Sequence, residues 1–240
     1  MNIVDLVYRN GRIYPDDTGF VEIRPVSKQK KKVSWKEFDD RTNSLANSLI
    51  QQGIQKGDRV FMMGKNSISW LEAYFGIVKT GAWVNPLNFR FTAENIAYGG
   101  SAAEPCCFIF EEEYIPLIQK SRSDLPTVKR FITIGNNAPS DMEVMEDLIK
   151  KGSKLQPPVE VRDEDECGLY FTSGTTGAPK PILLLHKNAF CPAVNEATNL
   201  FLTREDASVS YTHLRAHETV LDLVCRLLLE KINNTTTTPS

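Results

Sequence analysis

The sequence carries little that would direct it to a membrane, a nucleic acid or a metal. No stretch approaches the ~18 consecutive apolar residues that read as a bilayer span. The opening run MNIVDLVYRNGRIY places Asp5 and Arg9 where a signal peptide needs an unbroken apolar core. A formal net charge of -2 gives no reason to expect nucleic acid or an anionic membrane as partner. The five cysteines (Cys106, Cys107, Cys167, Cys191 and Cys225) form no metal-ligand spacing, and their odd number fits reduced thiols that pack as small hydrophobes. The expectation is a cytoplasmic protein in which no residue is assigned to a metal. The one dense basic run, Lys28 to Lys32, reads as a solvated turn between strand-like residues rather than as a binding patch.

What is present describes an ordinary globular chain: 240 residues, 41% hydrophobic and 24% charged, enough for one large domain or two small ones. VSWKEFDDRTNSLANSLIQQG predicts a helix from about Trp35. Ser34 and Glu37 form its capping box, Phe38, Leu45, Leu49 and Ile50 lie near one face, and Gly53 is the stop. GDRVFMMG follows as a buried strand, and SISWLEAYFGIVKTG as a helix turning Trp70, Tyr74, Ile77 and Val78 inward and ending at Gly81. AWVNPL reads as a strand broken by Pro86, TAENIAYGGS as a short helix capped by Thr92, and CCFIF and RFITIG as buried strands. Residues 136–166 look like a polar surface connection around one short helix. Helices alternating with strands too continuously apolar to be half-exposed predict an α/β fold with a mostly parallel sheet flanked by helices. Such sheets bind ligands beyond the carboxyl ends of their strands.

The chemistry concentrates in YFTSGTTGAPKPILLLHKN, Tyr170 to Asn188. Thr172, Ser173, Gly174, Thr175, Thr176 and Gly177 offer successive backbone N–H groups and four hydroxyls. The glycines allow close approach, so that the N–H groups can converge on an anion. Lys180 adds a mobile point charge suited to a phosphate. The Walker loop G-x-x-x-x-G-K-[ST] does not fit: Ala178 and Pro179 separate Gly177 from Lys180, and Pro181 follows. Prolines on both sides of the lysine exclude a helix interior, and Ile182 to Leu185 read as a strand. The prediction is a phosphate grip carried between two strands. A bare Gly/Thr/Ser turn is the alternative, and the length of the run argues against it.

That segment resembles the signature loop of the adenylate-forming (AMP-binding) superfamily of acyl-CoA synthetases, luciferases and peptide-synthetase adenylation domains. The similarity continues upstream through VSWKEFDD, GDRV and KTGA and covers about residues 1–207. The family has Gly after the loop lysine, whereas Pro181 stands here and removes one N–H. The resemblance implies an ATP-dependent ligase that forms a carbon–sulfur bond. A carboxylate attacks the α-phosphate of ATP to give an acyl-adenylate, and coenzyme A takes the acyl group, with Mg²⁺ neutralising charge. NPLNFRFTAENIAY, with Arg90 and Thr92, is similar to fatty and aromatic acyl-CoA ligases, so the implied substrate is a fatty or related carboxylic acid. A luciferase-like or peptide-synthetase branch, or a stand-alone nucleotide-binding module, is the alternative. His186 has a family counterpart and is read as a packing or capping residue. By the same resemblance the adenine, ribose and Mg²⁺ contacts and the catalytic lysine belong to later segments that do not appear. Residues 1–207 are thus expected to be an incomplete large N-terminal domain, inactive alone, with its acyl specificity unreadable.

Residues 208–240 are expected to be foreign. VSYTHLRAHET (209–219) is what a transposon-end sequencing adapter encodes in one frame, and LVCRLLLEK (223–231) what its matching primer encodes, with a barcode-length gap between. The helical spacing of Leu214, Leu221, Val224 and Leu228 predicts that about Leu214 to Lys231 forms a helix with few contacts.

Overall fold

A computed structural model describes residues 1–24, 28–172, 179–201, 203 and 206. The predicted tail helix lies outside the described residues. Among those described, the chain runs α1 (Ile3–Ile13), β1 (Thr18–Arg24), β2 (Gln29–Ser34), α2 (Trp35–Gln51), β3 (Arg59–Met63), α3 (Ile68–Val78), β4 (Trp83–Leu87), α4 (Ala93–Ala103), β5 (Cys107–Glu111), α5 (Ile115–Ser121), β6 (Arg130–Ile134), β7 (Glu143–Val144), α6 (Met145–Lys151), β8 (Glu166–Thr172), β9 (Lys180–Leu185) and α7 (His186–Asn199).

Seven strands form one sheet in the order β7-β6-β5-β3-β4-β8-β9, parallel throughout except for the antiparallel β8–β9 pair, while β1 and β2 pair separately. The α/β architecture with a mostly parallel sheet is therefore as the sequence predicts. Successive strand residues face opposite sides of the sheet. Val60 and Met62 of β3 and Cys107 and Ile109 of β5 join a core with Leu45, Leu49, Tyr74 and Ile77 from α2 and α3. Phe61, Met63, Phe108 and Phe110 face the other way, onto Ile96 of α4 and Ile118 of α5. Burial on both faces is why Val60 to Met63 and Cys107 to Phe110 are apolar without alternation.

The helix termini follow the expected local chemistry. Ser34 caps α2 by accepting from the Glu37 N–H at 3.2 Å, but the predicted capping box is only half formed because the Glu37 side chain does not bond back to the Ser34 N–H. Thr92 caps α4 with Asn95 in a full capping box. Gly53 (φ 95°) and Gly81 (φ 76°) take the left-handed backbone where α2 and α3 end. Within the packed helices Lys79 is buried, donating to Asp39 Oδ1 at 2.6 Å, Thr42 Oγ1 at 2.8 Å and Asn43 Oδ1 at 2.7 Å. Burial pushes its pKa down to about 8, against the opposing pull of Asp39.

Two expectations are corrected. Pro86 does not break its strand: β4 runs through it, with Met62 of β3 opposite. Pairing with β8 is confined to Val84↔Gly168, so the missing N–H interrupts no ladder on that side. The lysine run is a turn only at Lys28: Lys30, Lys31 and Lys32 lie, exposed, within β2. Strand β7, helix α7 and helix α1 also went unforeseen.

Candidate functional site

β8 is placed by α3 and β4. Tyr170 Oη lies 2.8 Å from Tyr74 Oη in a buried pair, with Cys167 Sγ 3.8 Å from the same Tyr74 oxygen. Burial raises the pKa of both phenols and pushes the thiol up to about 12, so all three stay neutral and position the strand rather than exchange protons. Gly168 is required for the approach of β8 to β4, since a Cβ there would meet Val84 O at 2.5 Å.

This packing fixes where the phosphate-grip candidates can stand. Thr172 is the last residue of β8 and Lys180 the first of β9, and the two are directly paired. Thr172 Oγ1 donates to Lys180 O at 3.3 Å. β8 runs parallel to β4, so Thr172 and its partner Lys180 stand at the carboxyl end of the parallel strands, the end at which such sheets bind ligands. The predicted site residues Ser173, Gly174, Thr175, Thr176 and Gly177 lie outside the described residues. The Lys180 side chain is exposed, with no hydrogen bond or ion pair among the described residues. Arg90, also exposed, takes a hydrogen bond from its backbone N–H to Asn88 Oδ1 at 2.9 Å. Thr92 is occupied in capping α4.

His186 begins α7 and is fully buried, with neither ring nitrogen partnered among the described residues. Burial pushes its pKa down to about 4 against the opposing fields of Asp165 and Asp5, with Lys56 adding to the depression. A neutral, enclosed imidazole is a packing group, as its sequence context suggested. No group of three or more His, Cys, Asp or Glu side chains lies together as a metal site among the described residues.

Residues 7–222 match the family described as AMP-binding enzyme. The match runs past Ala207 into residues outside the described structure. A long-chain-fatty-acid–CoA ligase of Thermus thermophilus is 31% identical over 156 residues, which is 65% of this chain and 28% of that protein. A peroxisomal butyrate–CoA ligase of Arabidopsis thaliana is 30% identical over 207 residues, 80% of this chain and 35% of that protein. The chain thus spans about a third of the length of the curated relatives it matches. Among solved structures, an anthranilate CoA ligase bound to anthranoyl-AMP superposes with a TM-score of 0.72 at 26% identity, covering 81% of this chain and 36% of that one.

Proposed function

The chain belongs to the AMP-binding enzyme family, and on that premise we propose that it forms part of an ATP-dependent acyl-CoA ligase acting on a carboxylic, and specifically a fatty, acid. The observation that carries the reading is the pairing of Thr172 with Lys180. It brings together, at the carboxyl end of a parallel sheet, the two residues that flank the Ser/Gly/Thr-rich run in the sequence. In this reading Thr172, Ser173, Gly174, Thr175, Thr176 and Gly177 donate N–H and O–H groups to the β- and γ-phosphates of ATP, and Lys180 supplies a charge that follows them. Held there, the triphosphate leaves its α-phosphorus open to a carboxylate oxygen. The phosphorus–oxygen bond to pyrophosphate breaks as the acyl-adenylate forms. The sulfur of coenzyme A then takes the acyl group and AMP leaves. The chain's share is positioning and electrostatics. Mg²⁺ would travel with the triphosphate, and no described residue is assigned to it.

The fatty-acid assignment leans on relatives named for long-chain fatty acids and butyrate. The anthranilate ligase shows that the same fold serves an aromatic acid, so the acyl class is the first part of the reading to check by substrate survey. We place the enzyme's share of the chain at residues 1–207, inactive alone, and read 208–240 as adapter-derived. The family match to residue 222 is what genuine continuation would give. Re-sequencing the locus past the codon for Ala207 decides between them, because the adapter reading requires a different sequence there.

The central test is Lys180→Ala in the full-length enzyme, read by ATP–pyrophosphate exchange. Loss of a phosphate-binding charge in the site should slow exchange by about 10²-fold. The thermal melt should not move, because the side chain is exposed. Unchanged exchange would remove Lys180 from the site.

A further inference from the structure

The β1–β2 ribbon stands apart from the main sheet, and its two faces differ. One face is inward: Phe20 packs on Trp35 and Phe38, and the Glu22 carboxylate accepts from the Ile68 N–H at the start of α3, at 3.0 Å. The register pairs these residues with Val33 and Lys31, which share that face. The alternate rungs, Val21 opposite Lys32 and Ile23 opposite Lys30, therefore face outward. Val21 is 45% and Ile23 65% exposed, and both lysines are exposed. Lys28, exposed in left-handed backbone (φ 54°), precedes β2 at the same end as Ile23 and Lys30. No acidic side chain shares the two outward rungs.

Single exposed apolar residues are ordinary and need no explanation. Here each of two β-branched residues has a lysine as its directly opposed neighbour. A lysine stem can lie along the apolar side chain while its ammonium reaches outward. An apolar centre with cations around it is the composition of a surface that settles at the boundary between lipid headgroups and acyl chains. We propose that the outward face of β1 and β2 docks the protein onto an anionic lipid bilayer. It lies on the membrane without crossing it: among the described residues no helix is long and apolar enough to span. Charge decides between membrane classes, since lysines beside an anionic leaflet each raise partitioning by about five-fold, or roughly a hundredfold for three. The apolar pair decides against a nucleic acid, which would use the lysines and leave Val21 and Ile23 idle.

The inference is independent of the ligase reading. Co-sedimentation of the full chain with vesicles, without ATP or coenzyme A, tests it, so its failure leaves that reading intact. Binding should be strong on phosphatidylcholine vesicles containing phosphatidylglycerol and weak on phosphatidylcholine alone. Lys30→Glu with Lys32→Glu should abolish the difference. Lys150→Glu with Lys151→Glu on α6, which changes the net charge equally, should preserve it. Val21→Ser with Ile23→Ser should weaken binding several-fold with an unchanged thermal melt. Absence of binding, equal binding to both vesicles, or equal loss from the α6 variant would overturn the proposal. So would full binding by the Val21→Ser/Ile23→Ser variant, or lipid binding abolished by competing duplex DNA.

Discussion

β5 and β9 each carry a run of four apolar residues, CFIF and ILLL, and the two runs end up in opposite surroundings. In β5, Cys107 to Phe110 are wholly buried. The strand lies between β3 and β6, with α2 and α3 on one face of the sheet and α4 and α5 on the other. In β9, Ile182 and Leu183 keep 45% and 43% of their surface open, and Val194, Leu200 and Phe201 beyond it are exposed as well. β9 is an edge strand, joined among the described residues only to β8. An apolar strand records a demand for cover, and the described chain meets that demand at one end of the sheet and not at the other. The open end is also the end that carries Lys180.

The largest expected effect breaks the comparison from the covered side. Phe108→Ala removes a ring packed edge-on against Phe61 and Phe110, with centroids 5.4 and 5.3 Å away. Such truncations cost about 3–5 kcal/mol, much of the stability of a typical domain, because the cavity does not collapse. Chemical denaturation measures it. A loss below ~1 kcal/mol would mean that β5 is not the enclosed strand described here.

A smaller effect concerns His186, the fully enclosed residue at the start of α7. His186 titrates near pH 6.5 when unfolded but near 4 in the fold, because burial opposes its charge despite Asp165 and Asp5. Between those values the unfolded chain binds the extra proton, so stability is lost as pH falls from about 6.5 toward 4, by about 3 kcal/mol at most. His186→Leu should remove that portion of the pH dependence and leave the acid limb that carboxylates produce. Parallel profiles for the two proteins over that window would show that His186 is not buried neutral.

How far the sequence could be read follows the same division. The covered strands β3, β5 and β6, and helices α2 and α3 with Ser34, Gly53 and Gly81 at their ends, were legible because pattern and caps agree. Pro86 misled because strand chemistry depends on whether a neighbour needs the N–H, and only the topology says that β8 does not. The two residues of β7 are too short for any periodic signal. Helix α1 had a usable sign that went unread: Asn2 and Asp5 form a capping box ahead of buried Ile3, Val4 and Val7. Helix α7 contains Pro192, which ordinarily argues against a helix interior. At the site, composition alone pointed to Thr172 and Lys180. Their direct pairing across β8 and β9 depends on the antiparallel turn of a single strand, which composition does not encode. Nor could the outward Val21–Lys32 and Ile23–Lys30 rungs be read, since a one-residue slip would reverse them.

The smallest expected change in stability sharpens the comparison most. Ile182→Ser with Leu183→Ser alters two residues already nearly half in water, at an edge strand with no further partner among the described residues. If the apolar run serves only to be covered by something else, the isolated chain should lose little by the change, about 0.5 kcal/mol or less in a melt. Its solubility should rise, because an exposed apolar edge strand is a template for pairing with other chains. In a longer protein whose additional chain packs on β9, the same double substitution should be costly, since each polar replacement would then be buried. Equal, small effects in both contexts would show that β9 is a true surface strand. The contrast with β5 would then belong to the fold itself rather than to the length of chain present.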